Sequence, residues 1–512
     1  MRTKHAFRNI AVGIFSQLVI IILGFISRKI FLDNLGSEYL GINGLLTNIL
    51  SAMVLIEGGL GISIVYNLYK PLAEDDKEQI IALIQLYKKA YWILAFFILV
   101  ISFSFYPFLG KIMKSSGDVK GIFLVYCIFV FKSVLSYVYS YKWALINADQ
   151  RGYFLAKNNL IFQVISMVLK IIILMATKNY ILYLLIELIL FIIQNIFNSN
   201  IVNKRYNYIK TKEKYKIKKE TRENIIKNVK AMFIQNIGSY AIFGTDNILI
   251  SSFISVSAVG LYSNYTMIMG QLASLIGQFI GGISNSVGNL IATEDKEKAY
   301  SVFNLVYLMN FWVYSFATIF LFNLLEPFIN WWLGDGYLLN NFTFIILLIN
   351  FYLSGMRRTI LTFKSKGGFF SQDKYAPILE GVINLITSLL FVKYFELAGI
   401  FLGTTVSYLL FSFWNQPRIV YRNLFQKRLK TYFIKYIVYL FIMLLVGWVT
   451  TNACDLIVSG YSFTSLIVRG VVCVIIPNII YFIIFFKTKE FQYLWISIKD
   501  QMNNLNVYKV RG

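Results

Sequence analysis

The chain has 512 residues, of which 57% are hydrophobic and 14% charged, with a mean hydropathy of +0.63. A soluble protein of this length exposes far more charge, so the composition indicates a polytopic membrane protein. The net charge of +24 does not point to nucleic acid: lysines and arginines gather in loops on one side of the apolar runs, as the positive-inside rule requires, which places both termini in the cytoplasm.

Apolar runs long enough to cross about 30 Å of hydrocarbon, which takes roughly 20 helical residues, recur along the whole chain. They cover 9–32, 39–69, 84–109, 120–145, 155–177, 180–201, 225–252, 257–290, 300–323, 337–360, 375–394, 397–420, 433–455 and 462–486. This predicts an all-α fold of about 14 transmembrane helices. The first run lacks a small-residue cleavage site and is too long for a signal peptide, so it reads as a retained helix. Residues 1–201 form a six-helix bundle, 202–224 a basic cytoplasmic linker and 225–422 a second six-helix bundle. Residues 430–488 supply helices 13 and 14, and 489–512 a cytoplasmic tail. Lys212, Lys214, Lys216, Lys218 and Lys219 make the linker the densest basic stretch, an orientation signal lying against anionic lipid headgroups.

Three short stretches recur at a common offset of 219 positions. Arg8-Asn9 returns as Lys227-Asn228, Leu40-Gly41 as Val259-Gly260, and Asp75-Asp76-Lys77-Glu78 as Glu294-Asp295-Lys296-Glu297. One offset shared over so long a stretch marks two homologous halves. An even number of spans in each half makes the repeats parallel, the plan of a membrane carrier with its substrate site between them. Cys127, Cys454 and Cys473 have no metal-ligand spacing and read as packing residues. The sole histidine, His5, lies before the first span. Neither a catalytic histidine nor a metal or cofactor motif is present, and the outer loops are too short for an extracellular domain, so the chain does not read as an enzyme.

From Arg28-Lys29 through Asp33, Leu35-Gly36 and Tyr39-Leu40-Gly41, then Glu57-Gly58-Gly59-Leu60-Gly61 to Pro71-Leu72-Ala73, the chain resembles the N-terminal signature of Wzx-type polysaccharide-biosynthesis flippases. These belong to the superfamily that also holds the MATE exporters and the lipid II flippase. The family's paired Tyr-Gly here reads Leu40-Gly41, with Tyr39 one place earlier, and Ala148-Asp149-Gln150-Arg151-Gly152 is similar to its cytoplasmic turn. The resemblance implies a MATE-like fold in a bacterial plasma membrane. It also implies export of an undecaprenyl-diphosphate-linked oligosaccharide from inner to outer leaflet, with a polysaccharide polymerase as partner. It further implies that Arg28 grips the diphosphate.

Ionisable groups inside spans are costly unless they face a partner or water, and so are functional candidates. Arg28 offers a bidentate fork suited to phosphate, with snorkelling to the interface as the alternative. Lys132, in mid-span, is a second phosphate candidate, while Lys170 and Glu187 read as a structural pair. The repeat offset sets Asp246-Asn247 against Ser27-Arg28, which suggests Asp246 as a gate partner or ion-coupling acid. Glu57 is either a proton carrier or a hydrogen-bonding acid between helices, and H+ or Na+ is the expected coupling ion. In the eighth span, Asn264, Gln271, Gln278 and Asn285 recur every seven residues, beside Ser274 and Gly281. Seven residues are nearly two turns, so they form one polar stripe, suited either to sugar hydroxyls or to interhelical hydrogen bonding around the Gly277/Gly281 GxxxG. The competing functions are a cation-coupled MATE-type drug exporter, which would want an anionic cleft, and a membrane polymerase or ligase, which would want a large outer loop.

Overall fold

The computed structural model describes the chain apart from residues 1, 53–56, 58–59, 114–120, 150, 370, 374, 458–459, 461, 494 and 496–512, and apart from some helical side chains, including those of 2–18 and 278–286. Among the described residues the fold is all helix, without a strand, and it divides into two compact units, 1–263 and 264–512.

The first unit opens with α1, Arg2–Ser51, whose helical geometry is interrupted at Gly36 (φ 82°, ψ 177°). That is the glycine of the Leu35-Gly36 motif, and the left-handed φ explains why a residue without Cβ stands there. Then come α2 (Leu60–Ala73), α3 (Lys77–Phe105), α4 (Ile122–Val138), α5 (Ser140–Ala148), α6 (Tyr153–Thr177) and α7 (Tyr180–Arg205). Next follow α8 (Lys219–Phe243), α9 (Asp246–Phe253) and the start of α10 (Val256–Thr293). One predicted span is a broken helix: the seventh breaks at Gly244-Thr245, so Asp246 opens a new helix. The α4–α5 pair bends by 43°. The basic stretch between α7 and α8 is pinned to the start of α3: Gln79 donates to the Lys216 carbonyl at 3.0 Å, and Gln85 to that of Glu213 at 2.6 Å.

The second unit continues with α11 (Lys296–Leu333), α12 (Asn341–Lys366), α13 (Ala376–Ser407), α14 (Phe413–Val420), α15 (Lys430–Ile457) and α16 (Phe463–Phe485). Helix α13 doubles back at Glu396 (φ 49°, ψ −126°). Across that hairpin Ser388 donates to the Ile400 carbonyl at 2.9 Å and Asn384 to Thr404 Oγ1 at 2.9 Å. The reversal falls between two predicted spans, 375–394 and 397–420. Single π-helical turns, Tyr408–Ser412 and Tyr421–Phe425, flank α14; such turns are frequent where helices are built around a site. The core of this unit is aromatic, with Phe303, Tyr307, Phe311, Tyr432 and Tyr481 buried together and the Phe311 and Tyr439 rings stacked at 4.3 Å.

Eight described segments are long and apolar enough to cross a membrane, or nine if α4–α5 is one span, and one of them, Ala376–Phe425, contains the Glu396 reversal. Burial separates their roles. Of the apolar stretch of α6, 6% is buried, whereas that of α11 is 61% buried. The first presents its side chains to lipid and the second packs at the centre of its unit.

The repeated acidic stretch proves to be a pair of helix caps. Asp76 Oδ1 accepts from the Gln79 N–H at 3.1 Å at the start of α3, and Asp295 Oδ1 from the Lys298 N–H at 2.7 Å at the start of α11. Each satisfies an orphan donor of a first helical turn. The Gln79 N–H, followed by the Lys218 ammonium at 3.1 Å, holds the Asp76 carboxyl below its usual range.

Candidate substrate-handling site

The site in the first unit rests on a close contact between α1 and the α9–α10 segment, and the contact is reciprocal under the repeat offset. An ideal Cβ on Gly41 would stand 1.9 Å from the Val256 carbonyl oxygen, and one on Gly260 would stand 2.0 Å from that of Ser37. Gly260 is the repeat counterpart of Gly41, and Val256 that of Ser37. The Ser37 and Ser257 hydroxyls meet at 2.7 Å in the same crossing. The second reciprocal pair flanks it: Arg28 Nη1 donates to Ser263 Oγ at 3.0 Å, and Asn247 Nδ2 to the Gly44 carbonyl at 3.4 Å. Asn247 corresponds to Arg28 and Ser263 to Gly44. Two glycines bring the backbones together, and the paired donors close the crossing on either side.

Arg28 therefore sits half-buried in this crossing with a hydroxyl as its partner. Ser263 is oriented to accept because its own hydroxyl donates to the Gly260 carbonyl at 2.7 Å. Among the described residues no ion pair joins Arg28 to Asp246 or to any other acid. Asp246 lies in the first turn of α9, and its Oδ1 is buried without a hydrogen-bond partner among the described residues. A buried carboxylate oxygen left open in this way is a place for a proton, a cation or water.

Glu57 accepts from the Tyr91 hydroxyl, which in turn accepts from Tyr87 at 3.2 Å, so an ordered chain of hydroxyls leads from α3 to the acid. The Gly61 N–H also reaches Glu57 Oε1, at 3.3 Å. Lys132 is not a solitary cation: it bonds Glu187 Oε1 while Lys170 takes Oε2 at 2.7 Å. One carboxylate thus bridges two ammonium groups and the cluster keeps one net positive charge. Lys132 is its more open member, with 38% of its side chain exposed against 16% for Lys170.

In the second unit the amide stripe is only partly described. Asn264 is fully buried and neither Nδ2 nor Oδ1 has a partner among the described residues. Gln271 is half-buried on the same helix, and the side chains of Gln278 and Asn285 lie outside the described residues. Sequence reasoning missed a buried, forked ion pair of this unit. Arg357 of α12 forks onto Glu380 of α13 at 2.7 and 2.9 Å, and its Nε donates to Gln416 Oε1 of α14 at 2.9 Å. Ser412, in the π-helical turn, bonds Glu380 as well. The signal was available, since Arg357 and Arg358 end one apolar run and Glu380 opens the next.

No protein-family model matches the chain, and no curated protein matches it. Solved structures do. The chain is similar to the lipid II flippase MurJ in an inward closed conformation, at 12% identity and a TM-score of 0.66, over 93% of this chain and 99% of that one. It is similar to the MATE multidrug transporter DinF-BH, at 15% identity and a TM-score of 0.58, over 82% and 96% of the two chains. A multidrug resistance MATE family transporter of the MOP superfamily, inward-facing, aligns at 15% identity and a TM-score of 0.50, over 79% and 98%. The chain has the helical membrane fold that these transporters share.

Proposed function

We propose that this protein is a flippase that moves undecaprenyl-diphosphate-linked oligosaccharide repeat units from the inner to the outer leaflet of a bacterial plasma membrane, for surface polysaccharide assembly. The observation that carries the reading is Arg28, a guanidinium held in a helix crossing by a hydroxyl, with no carboxylate against it among the described residues, and so not neutralised there. Its fork fits two phosphate oxygens at once. Lys132 is the second cation: it is the open arm of the Glu187 cluster, and a phosphate can replace the carboxylate there. Asn264 and Gln271, with Gln278 and Asn285 further along α10, supply amides for glycan hydroxyls. Sheltering the polar head is what the task demands, since its passage through bare hydrocarbon is prohibitive, while the polyprenyl tail stays in lipid. Asp246, with its open carboxylate oxygen, and Glu57, at the end of a hydroxyl chain, are the candidates for H+ or Na+ coupling, and both termini lie in the cytoplasm. A polysaccharide polymerase is the expected downstream partner.

The same fold serves drug exporters, so the decisive experiment contrasts the two cargoes. Deleting the gene is expected to make lipid-linked repeat units accumulate on the cytoplasmic leaflet and to remove surface polysaccharide, without sensitising cells to cationic dyes. Dye sensitivity with intact surface polysaccharide would replace the flippase reading with a cation-coupled exporter.

A further inference from the structure

Arg357 and Arg358 are consecutive on α12, and successive helical residues point about 100° apart. Their surroundings differ accordingly. Arg357 is neutralised by Glu380 at 2.7 Å. Arg358 lies over the Tyr314 ring of α11, 5.7 Å from its centroid. Its Nη1 also reaches α10, where an ideal Cβ on Gly277 would stand 3.0 Å from it. Among the described residues Arg358 joins no ion pair.

The contact at Gly277 decides between two readings of that glycine. A close-packing GxxxG would set the backbone of another helix against it; what faces Gly277 is the tip of a guanidinium. The glycine leaves room for the charge, and the tyrosine ring holds the side chain by a cation–π contact without neutralising it. The side chain packs sideways onto two neighbouring helices, α10 and α11. An arginine stays charged in proteins, and a charge held among helices without a carboxylate among the described residues is a natural partner for an anion.

We propose that Arg358 is an anion-binding residue of the second unit, taking phosphate oxygens of a phosphorylated amphiphile where Gly277 of α10 seats its guanidinium. The assignment rests on the lipid-diphosphate reading above. The test uses the full-length protein in detergent with two probes sharing one tail, geranylgeranyl diphosphate and geranylgeraniol, and binding is followed by intrinsic tryptophan fluorescence. Wild type is expected to prefer the diphosphate. Arg358→Ala is expected to lose about tenfold or more of that preference, the worth of a charge-assisted hydrogen bond, with alcohol binding unchanged, and Arg358→Lys to retain part of it. Gly277→Leu keeps the charge but displaces the guanidinium from its seat on α10, and is expected to lower the preference as Arg358→Ala does; it carries the test if the alanine variant does not fold. Full preference for the diphosphate in both variants, at wild-type melting temperature, overturns the role of Arg358 and leaves the cargo reading standing. A wild-type protein that binds both probes equally overturns the lipid-diphosphate reading and this assignment with it.

Discussion

Arg28 was legible in the sequence because a charge in an apolar run is too costly to be incidental, but its partner was not. Ser263 is separated from it by 235 positions, and only the crossing of α1 with α10 joins them. If Arg28 grips phosphate, Arg28→Ala is expected to abolish export of lipid-linked units at normal protein abundance, and Arg28→Lys to keep a fraction, since lysine retains charge without the planar fork. A fully active alanine variant, judged by surface polysaccharide and by immunoblot, would reduce Arg28 to an interfacial anchor. The other ionisable candidates show how far residue-level reasoning reaches. Lys132 stood out as a mid-span charge, but three helices had to pack before Glu187 could bridge it to Lys170. Asp246 stood out by its offset from Ser27, next to Arg28, whereas the bond that matches Arg28–Ser263 is made by Asn247. Arg357 and Arg358 carried the same signal as Arg28, and their division into a cation neutralised by Glu380 and one with no ion pair among the described residues is purely a matter of neighbours.

Among elements, the repeat has a physical cause at each of its clearer matches. Gly41 and Gly260 recur because each must let a carbonyl approach to about van der Waals contact or closer, and Asp76 and Asp295 recur because each caps a long helix. The glycine contact gives a direct test within one helix. On α10, Gly260→Ala would push a Cβ against the Ser37 backbone, which cannot rotate away, and overpacking of this kind costs typically about 1–3 kcal/mol. Gly270→Ala meets nothing within 4 Å and gains helix propensity of roughly 0.5–1 kcal/mol. Thermal unfolding in detergent should therefore place Gly260→Ala below wild type and Gly270→Ala at or above it, with Gly41→Ala behaving like Gly260→Ala. Equal melting temperatures for Gly260→Ala and wild type would mean that the helices do not cross at these glycines. Element boundaries were less legible. Hydropathy reads a span as continuous when a short break keeps it apolar, so the interruption at Gly244-Thr245 went unseen, while the turn at Glu396 was marked by the charge itself.

For the molecule as a whole, the charge pattern predicts sidedness that a labelling experiment can read. In a background without native cysteines, Thr211→Cys and Ser365→Cys should be shielded from an impermeant thiol reagent in intact cells, while Lys178→Cys and Asp335→Cys should react. Labelling of Ser365→Cys from outside would break the span assignment. Composition and hydropathy alone determined that this is an all-helical membrane chain, because continuous apolar runs of roughly 20 residues satisfy their backbone in lipid as helices, whereas a barrel strand is about half as long and alternates. The common offset predicted related halves, and the reciprocal contacts of Gly41 with Val256 and of Gly260 with Ser37 fall at positions that it matches. What the tertiary structure alone decided is which charges are neutralised. Coulombic pairing depends on distances of a few ångströms between residues tens to hundreds of positions apart, and one-dimensional pattern contains no such distances. Glu187 bridging two lysines, Glu380 claiming Arg357, and Arg28 and Arg358 without a carboxylate among the described residues are therefore products of packing, and under the proposed function they are the cations to test first.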